Sequence, residues 1–88
     1  MSDTPGAAPE PAAELDARGL LCPLPVLKAR KRIAALPSGA VLRILTTDPA
    51  AVLDVPHFCA EAGHAVIASG PDGEHPAGPV TSWLVRKG

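Results

Sequence analysis

The chain has 88 residues, enough for one domain and not two. Its 8 Lys plus Arg nearly cancel its 9 Asp plus Glu, which removes any argument for bulk attraction to nucleic acid or an anionic membrane. Phe58 and Trp83 are the only aromatic residues, too few for a base-stacking platform.

Two cysteines, Cys22 and Cys59, fall short of the stapling numbers of a small secreted scaffold. The N-terminus has no basic start followed by an apolar run, and no stretch reaches membrane-spanning length. The expectation is a soluble cytoplasmic protein without direct nucleic-acid or membrane contact.

Residues Met1 to Ala12 are Ser, Thr, Pro, Gly, Ala and acid without apolar periodicity, and read as a disordered tail (1–12) before a folded domain (13–88). Glu14 to Ala17 form a short candidate strand ended by Arg18-Gly19. Pro23 to Leu36 read as a helix, with Pro23 at the first helical position, where no amide hydrogen is needed. Val26, Ala29, Ile33 and Leu36 share its apolar face, with Leu27 and Ala34 beside them; Lys28, Lys31 and Arg32 lie opposite, and Pro37-Ser38-Gly39 stop it. Arg30 falls nearer the apolar side, where it can snorkel or pair with Asp16 or Asp48.

Val41 to Thr47 is β-branched and mostly apolar, as a central strand should be. Asp48 and Pro49 look like a capping pair for a second helix reaching about Ala62, with Pro56 expected to divide it into a first turn (Ala50 to Asp54) and a main segment. Val55, Phe58, Cys59 and Ala62 share its inner face, and Gly63 ends it. His64 to Ser69 read as a third strand, Gly70 to Pro79 as a Gly- and Pro-rich loop or wide turn, and Val80 to Arg86 as a last strand. The order is β-α-β-α-β-β. Right-handed crossovers then put both helices on one face of a mixed four-stranded sheet, an α/β (α+β) two-layer sandwich.

The chemistry centres on Leu21-Cys22-Pro23-Leu24-Pro25. A thiol reacts as its thiolate, and a helix start favours that anion through free amides and the positive dipole end. Pro23 and Pro25 lack amide hydrogens, so Leu24 and Val26 remain as donors, while the rings fix the backbone leaving Cys22. Arg18, four residues earlier, could add positive charge. A dithiol oxidoreductase would carry a second cysteine at position 25, which is proline. A single activated thiol without a resolving neighbour suits a group held and passed on, such as a persulfide.

Leu15 to Lys31, with Cys-Pro-x-Pro behind Asp-x-x-Gly, resembles the signature segment of the TusA family, also called SirA-like or YedF-like; Thr47 to Ala50 and Asp54 to Cys59 resemble its second block. The resemblance covers the chain from about Glu14 onward. It implies a sandwich similar to the C-terminal domain of the third bacterial translation initiation factor, and a transient persulfide on Cys22 with no other cofactor. It further implies a cysteine desulfurase or rhodanese as sulfur donor and an acceptor sulfurtransferase, in tRNA thiolation, molybdenum cofactor synthesis or sulfur oxidation. A monomer is expected.

Other residues have plainer readings. Cys59 belongs in the core. Lys28, Lys31 and Arg32 make a solvated helix face, or alternatively a docking surface for an acidic partner. His57 is a surface residue that could help a partner dock, and His57, Cys59 and His64 fit no zinc spacing. Two rival functions stay open. A regulatory or RNA-binding module rests on fold analogy alone, and a small redox protein would pair Cys22 with Cys59.

Overall fold

The computed structural model describes residues 10–88. Most of the expected tail, residues 1–9, lies outside the described residues. The order is β1 (Ala13–Ala17), α1 (Leu24–Ala34), β2 (Val41–Thr46), α2 (Ala51–Ala62), β3 (Ala65–His75) and β4 (Gly78–Arg86). The four strands make one sheet in the order β1-β2-β4-β3, with β1 parallel to β2 and β4 antiparallel to both its neighbours. This is the expected mixed sheet, and the Val41 strand is indeed internal.

One sheet face carries Leu15 and Ala17 from β1, Leu42 and Ile44 from β2, and Trp83 and Val85 from β4. The strand register sets Ile44 between Leu15 and Trp83, and Leu42 opposite Val85. Ala29 and Ile33 of α1 and Ala51, Val55, Phe58 and Cys59 of α2 pack on that face, so both helices cover the same side. Fully burying a side chain such as Ile44 or Val85 contributes roughly 1.5–3 kcal/mol. Trp83 donates its indole N–H to Thr46 Oγ1 at 3.0 Å, which satisfies the two polar groups inside this layer. No helix of the described residues is long and apolar enough to cross a membrane.

The elements differ in several places from those read in the sequence. Helix α1 starts one residue later than expected, with Pro23 as its cap residue and Pro25 at its second position and buried. Pro56 does not divide α2, which runs unbroken from Ala51 to Ala62. Pro56 and Val52 both face solvent, so the Val52 carbonyl deprived of its i+4 amide is open to water. The Gly70–Pro79 segment is not a loop. Strand β3 continues to His75 and pairs with β4 through two register shifts, leaving only Pro76-Ala77 as the turn. Pro71 is tolerated because β3 is an edge strand, where a missing amide breaks no outer ladder.

Gly63 ends α2 in the left-handed region (φ 81°), and the amide of His64 returns to the Cys59 carbonyl at 2.8 Å. At the opposite end of the sheet the tips of β1 and β2 lead into the two helix starts, and the site lies there.

Candidate functional site

Cys22 is exposed, at the end of the turn that joins β1 to α1. That turn is pinned from the neighbouring strand. Gly19 adopts a left-handed conformation (φ 82°), and its amide donates to Thr47 Oγ1 at 2.9 Å. The amide of Cys22 donates to Asp48 Oδ2 at 2.6 Å, and the Ala50 amide donates to Asp48 Oδ1 at 3.1 Å. One carboxylate therefore ties the residue before α1 to the turn before α2. The cap role read for Asp48 survives only in part: Ala50 occupies the cap position of α2 without a side-chain cap bond, and Asp48 acts from two residues earlier as an Asx turn. The Cys22–Pro23 peptide bond is cis.

The sulfur opens on a cleft of about 200 Å³ between the two helices. Pro23, Val26 and Arg30 line it from the α1 side; Asp54, His57, Phe58 and Glu61 line it from α2. Phe58 is its buried floor. The Arg30 guanidinium stacks over that ring, 4.9 Å from its centre, rather than pairing with Asp16 or Asp48 as the sequence suggested. His57 Nε2 lies 3.4 Å from Glu61 Oε1, an exposed i,i+4 pair. Large apolar side chains flank the opening in the sequence and stay exposed: Leu21 and Leu24 on either side of Cys22, Val52 and Leu53 just before Asp54.

The electrostatics reverse the sequence expectation. The Cys22 thiol is raised above the ordinary cysteine range, first by the Asp54 carboxylate that lines the same cleft, then by partial desolvation and by the charge of Asp48. The helix start offers little against this, because Pro23 and Pro25 have no amide hydrogen and the Leu24 amide is spent on the Leu21 carbonyl at 2.9 Å, so of the two donors read from the sequence only Val26, which lines the cleft, is left. Arg18 does not help either. It forks onto Asp16, with Nε to Oδ1 at 2.8 Å and Nη2 to Oδ2 at 2.9 Å, and holds that carboxyl down at about 2. Cys22 is thus accessible, with its proton held more tightly than on an ordinary thiol.

The remaining candidates separate. His57 joins Cys22 in the cleft, whereas Lys28, Lys31 and Arg32 border a different groove, floored by Leu15 and Ala35 on the other side of α1. Cys59 is buried, and burial pushes its thiol up. Sequence reasoning missed Asp54 and Glu61; a carboxylate on the α2 turn that faces the Pro23 turn has no linear signal. It also treated Asp48 as a cap and not as a strut. Substituting Asp48→Ala should free the Cys22 amide and loosen the turn. Loss of a charge-assisted hydrogen bond of this type costs about 1.5–3 kcal/mol, readable as a lower urea midpoint with an unchanged slope.

Residues 13–76 match the sequence profile of the family described as sulfurtransferase TusA. The chain is 37% identical over 75 residues to the sulfur carrier protein TusA of Pseudomonas syringae pv. syringae, covering 85% of this chain and 84% of that one. It is 45% identical over 60 residues to the sulfur carrier protein TusA of Allochromatium vinosum, covering 68% of this chain and 79% of that one. Among solved structures it resembles a SirA-like protein from Desulfitobacterium hafniense, with a TM-score of 0.63 at 23% identity over 86% of this chain and 99% of that one, a likeness of fold.

Proposed function

Since the chain belongs to the TusA sulfurtransferase family, whose curated relatives are sulfur carriers, we propose that it carries sulfur as a persulfide on Cys22, between a donor and an acceptor protein. The observation that supports this most directly is a single exposed thiol at the mouth of an inter-helix cleft, with the other cysteine buried beneath.

In the loading step the Cys22 thiolate attacks the outer sulfur of a donor persulfide. A new S–S bond forms at Cys22, the donor's S–S bond breaks, and its electron pair stays on the donor's inner sulfur. That sulfur takes up the proton Cys22 gave away, so nothing is oxidised or reduced overall. In the delivery step an acceptor thiolate attacks the outer sulfur now on Cys22, and the Cys22 thiolate leaves. A neighbouring cysteine would intercept the cargo by forming an internal disulfide. Cys59 cannot do so from the core.

A cysteine desulfurase or a rhodanese fits the donor role, and an acceptor sulfurtransferase of tRNA thiolation, molybdenum cofactor synthesis or sulfur oxidation fits the other. Incubation with a desulfurase and L-cysteine tests the reading. Intact-mass and peptide analysis should show one added sulfur on the Cys22 peptide and none on the Cys59 peptide. An unmodified Cys22 beside an active desulfurase and an active rhodanese would remove the carrier reading.

A further inference from the structure

Every charged group that lines the cleft is matched with a partner within the chain, with one exception. Arg30 lies on the Phe58 ring, and His57 faces Glu61. Just outside the cleft Asp48 accepts two backbone amides and Arg18 is taken by Asp16. Asp54, half-buried on the first turn of α2, has no ion pair among the described residues and lines the same cleft as Cys22. The reacting sulfur therefore sits against an uncompensated carboxylate. This opposes the formation of the very anion that sulfur loading requires.

Resting on the carrier reading, we propose that Asp54 is the docking point for a cationic side chain of the sulfur donor, an arginine or lysine beside the donor's reactive cysteine, and that this pairing frees Cys22 to give up its proton. Alone, the carboxylate holds the proton on sulfur and keeps the thiol quiet toward stray electrophiles. A cation brought against Asp54 at the cleft mouth draws the carboxylate away from the thiol and supplies positive charge where the thiolate forms. The charge that hinders Cys22 in isolation then becomes a selection device: a donor lacking the cation meets a protonated thiol, and a donor bearing it meets a nucleophile. The exposed Val52 and Leu53 before Asp54, and Leu21 and Leu24 around Cys22, give such a partner an apolar surface to cover once it is aligned.

The substitution Asp54→Asn gives opposite signs in two assays. With iodoacetamide, a neutral probe, Cys22 of the full chain should be alkylated about threefold faster or more at pH 7, its titration midpoint having moved down. With a cysteine desulfurase and L-cysteine, the same variant should accept sulfur with a KM raised about fivefold or more, and its transfer should decline less steeply with added NaCl than transfer to the wild type. Glu74→Gln, on the exposed part of β3 and equal in net-charge change, should alter neither assay. An unchanged alkylation profile would overturn the proposal, as would transfer from the desulfurase that is unaffected or improved. The alkylation arm needs no sulfur donor, so a chain that never loads sulfur refutes the carrier reading and still reports whether Asp54 restrains Cys22.

Discussion

Replacing Cys22 by serine should abolish sulfur loading completely while leaving the fold intact. An oxygen atom in place of the sulfur can neither form the S–S bond that holds the cargo nor ionise near neutral pH, so no residual rate is expected. The side chain is exposed, and the turn is held through the Cys22 amide, which serine retains, so the bond to Asp48 persists. The companion variant Cys59→Ser separates carriage from a dithiol mechanism. Cys59 lies inside the helix–sheet layer and its thiol is held up by burial, so loading of Cys22 should proceed in this variant at the wild-type rate. Its cost should be in stability, about 1–2 kcal/mol for a hydroxyl placed in an apolar layer. Mass analysis of both variants after exposure to a desulfurase and L-cysteine decides the matter. Persistent sulfur on Cys22→Ser would relocate the carrier atom, and loss of loading in Cys59→Ser would favour a redox pair.

The fold was legible because its signals are local. Val41 to Thr46 reads as a central strand by composition, Gly63 stops α2, and the β-α-β-α-β-β order leaves few ways to cover one sheet face. What escaped depends on neighbours in space. Pro56 looks like a break until its turn is seen to face solvent. The Gly- and Pro-rich run looks like a loop until its position on an edge strand makes it a hairpin arm. Arg43, whose guanidinium bridges Glu14 on one side and Asp72 on the other, helps hold that arm back on the sheet, a contact across strands that no spacing foretells. The site shows the same division. The candidate thiol could be named from Cys22-Pro23-Leu24-Pro25, but its electrostatic surroundings could not, because the carboxylates that shape them are 26 and 32 positions away at Asp48 and Asp54. Helix-start reasoning predicted an acidic thiol from the amides on its own chain, and two carboxylates from the next element reversed the sign.

Phe58→Ala should be strongly destabilising while leaving Cys22 in place. The ring is almost fully buried, 3% exposed, and it has two roles: it packs with Val55 and Cys59 in the core, and it floors the cleft beneath Arg30. Truncating a buried phenylalanine costs about 3–5 kcal/mol. A domain of this size has little more than the lower part of the usual 5–15 kcal/mol to lose. At about 4 °C or more per kcal/mol for chains of this length, the thermal midpoint should fall by at least about 12 °C. Phe58→Leu keeps much of the volume and should cost under about 1.5–2 kcal/mol. The pair separates packing from function. In Phe58→Leu the core is largely filled, yet the flat surface under the Arg30 guanidinium is gone, a contact of about 0.5–1 kcal/mol at an exposed site. If the cleft only exposes Cys22, Phe58→Leu will load sulfur as the wild type does. If Arg30 must be held in place for a donor to dock, loading will slow in Phe58→Leu at temperatures well below its melting transition, with iodoacetamide alkylation of Cys22 unchanged.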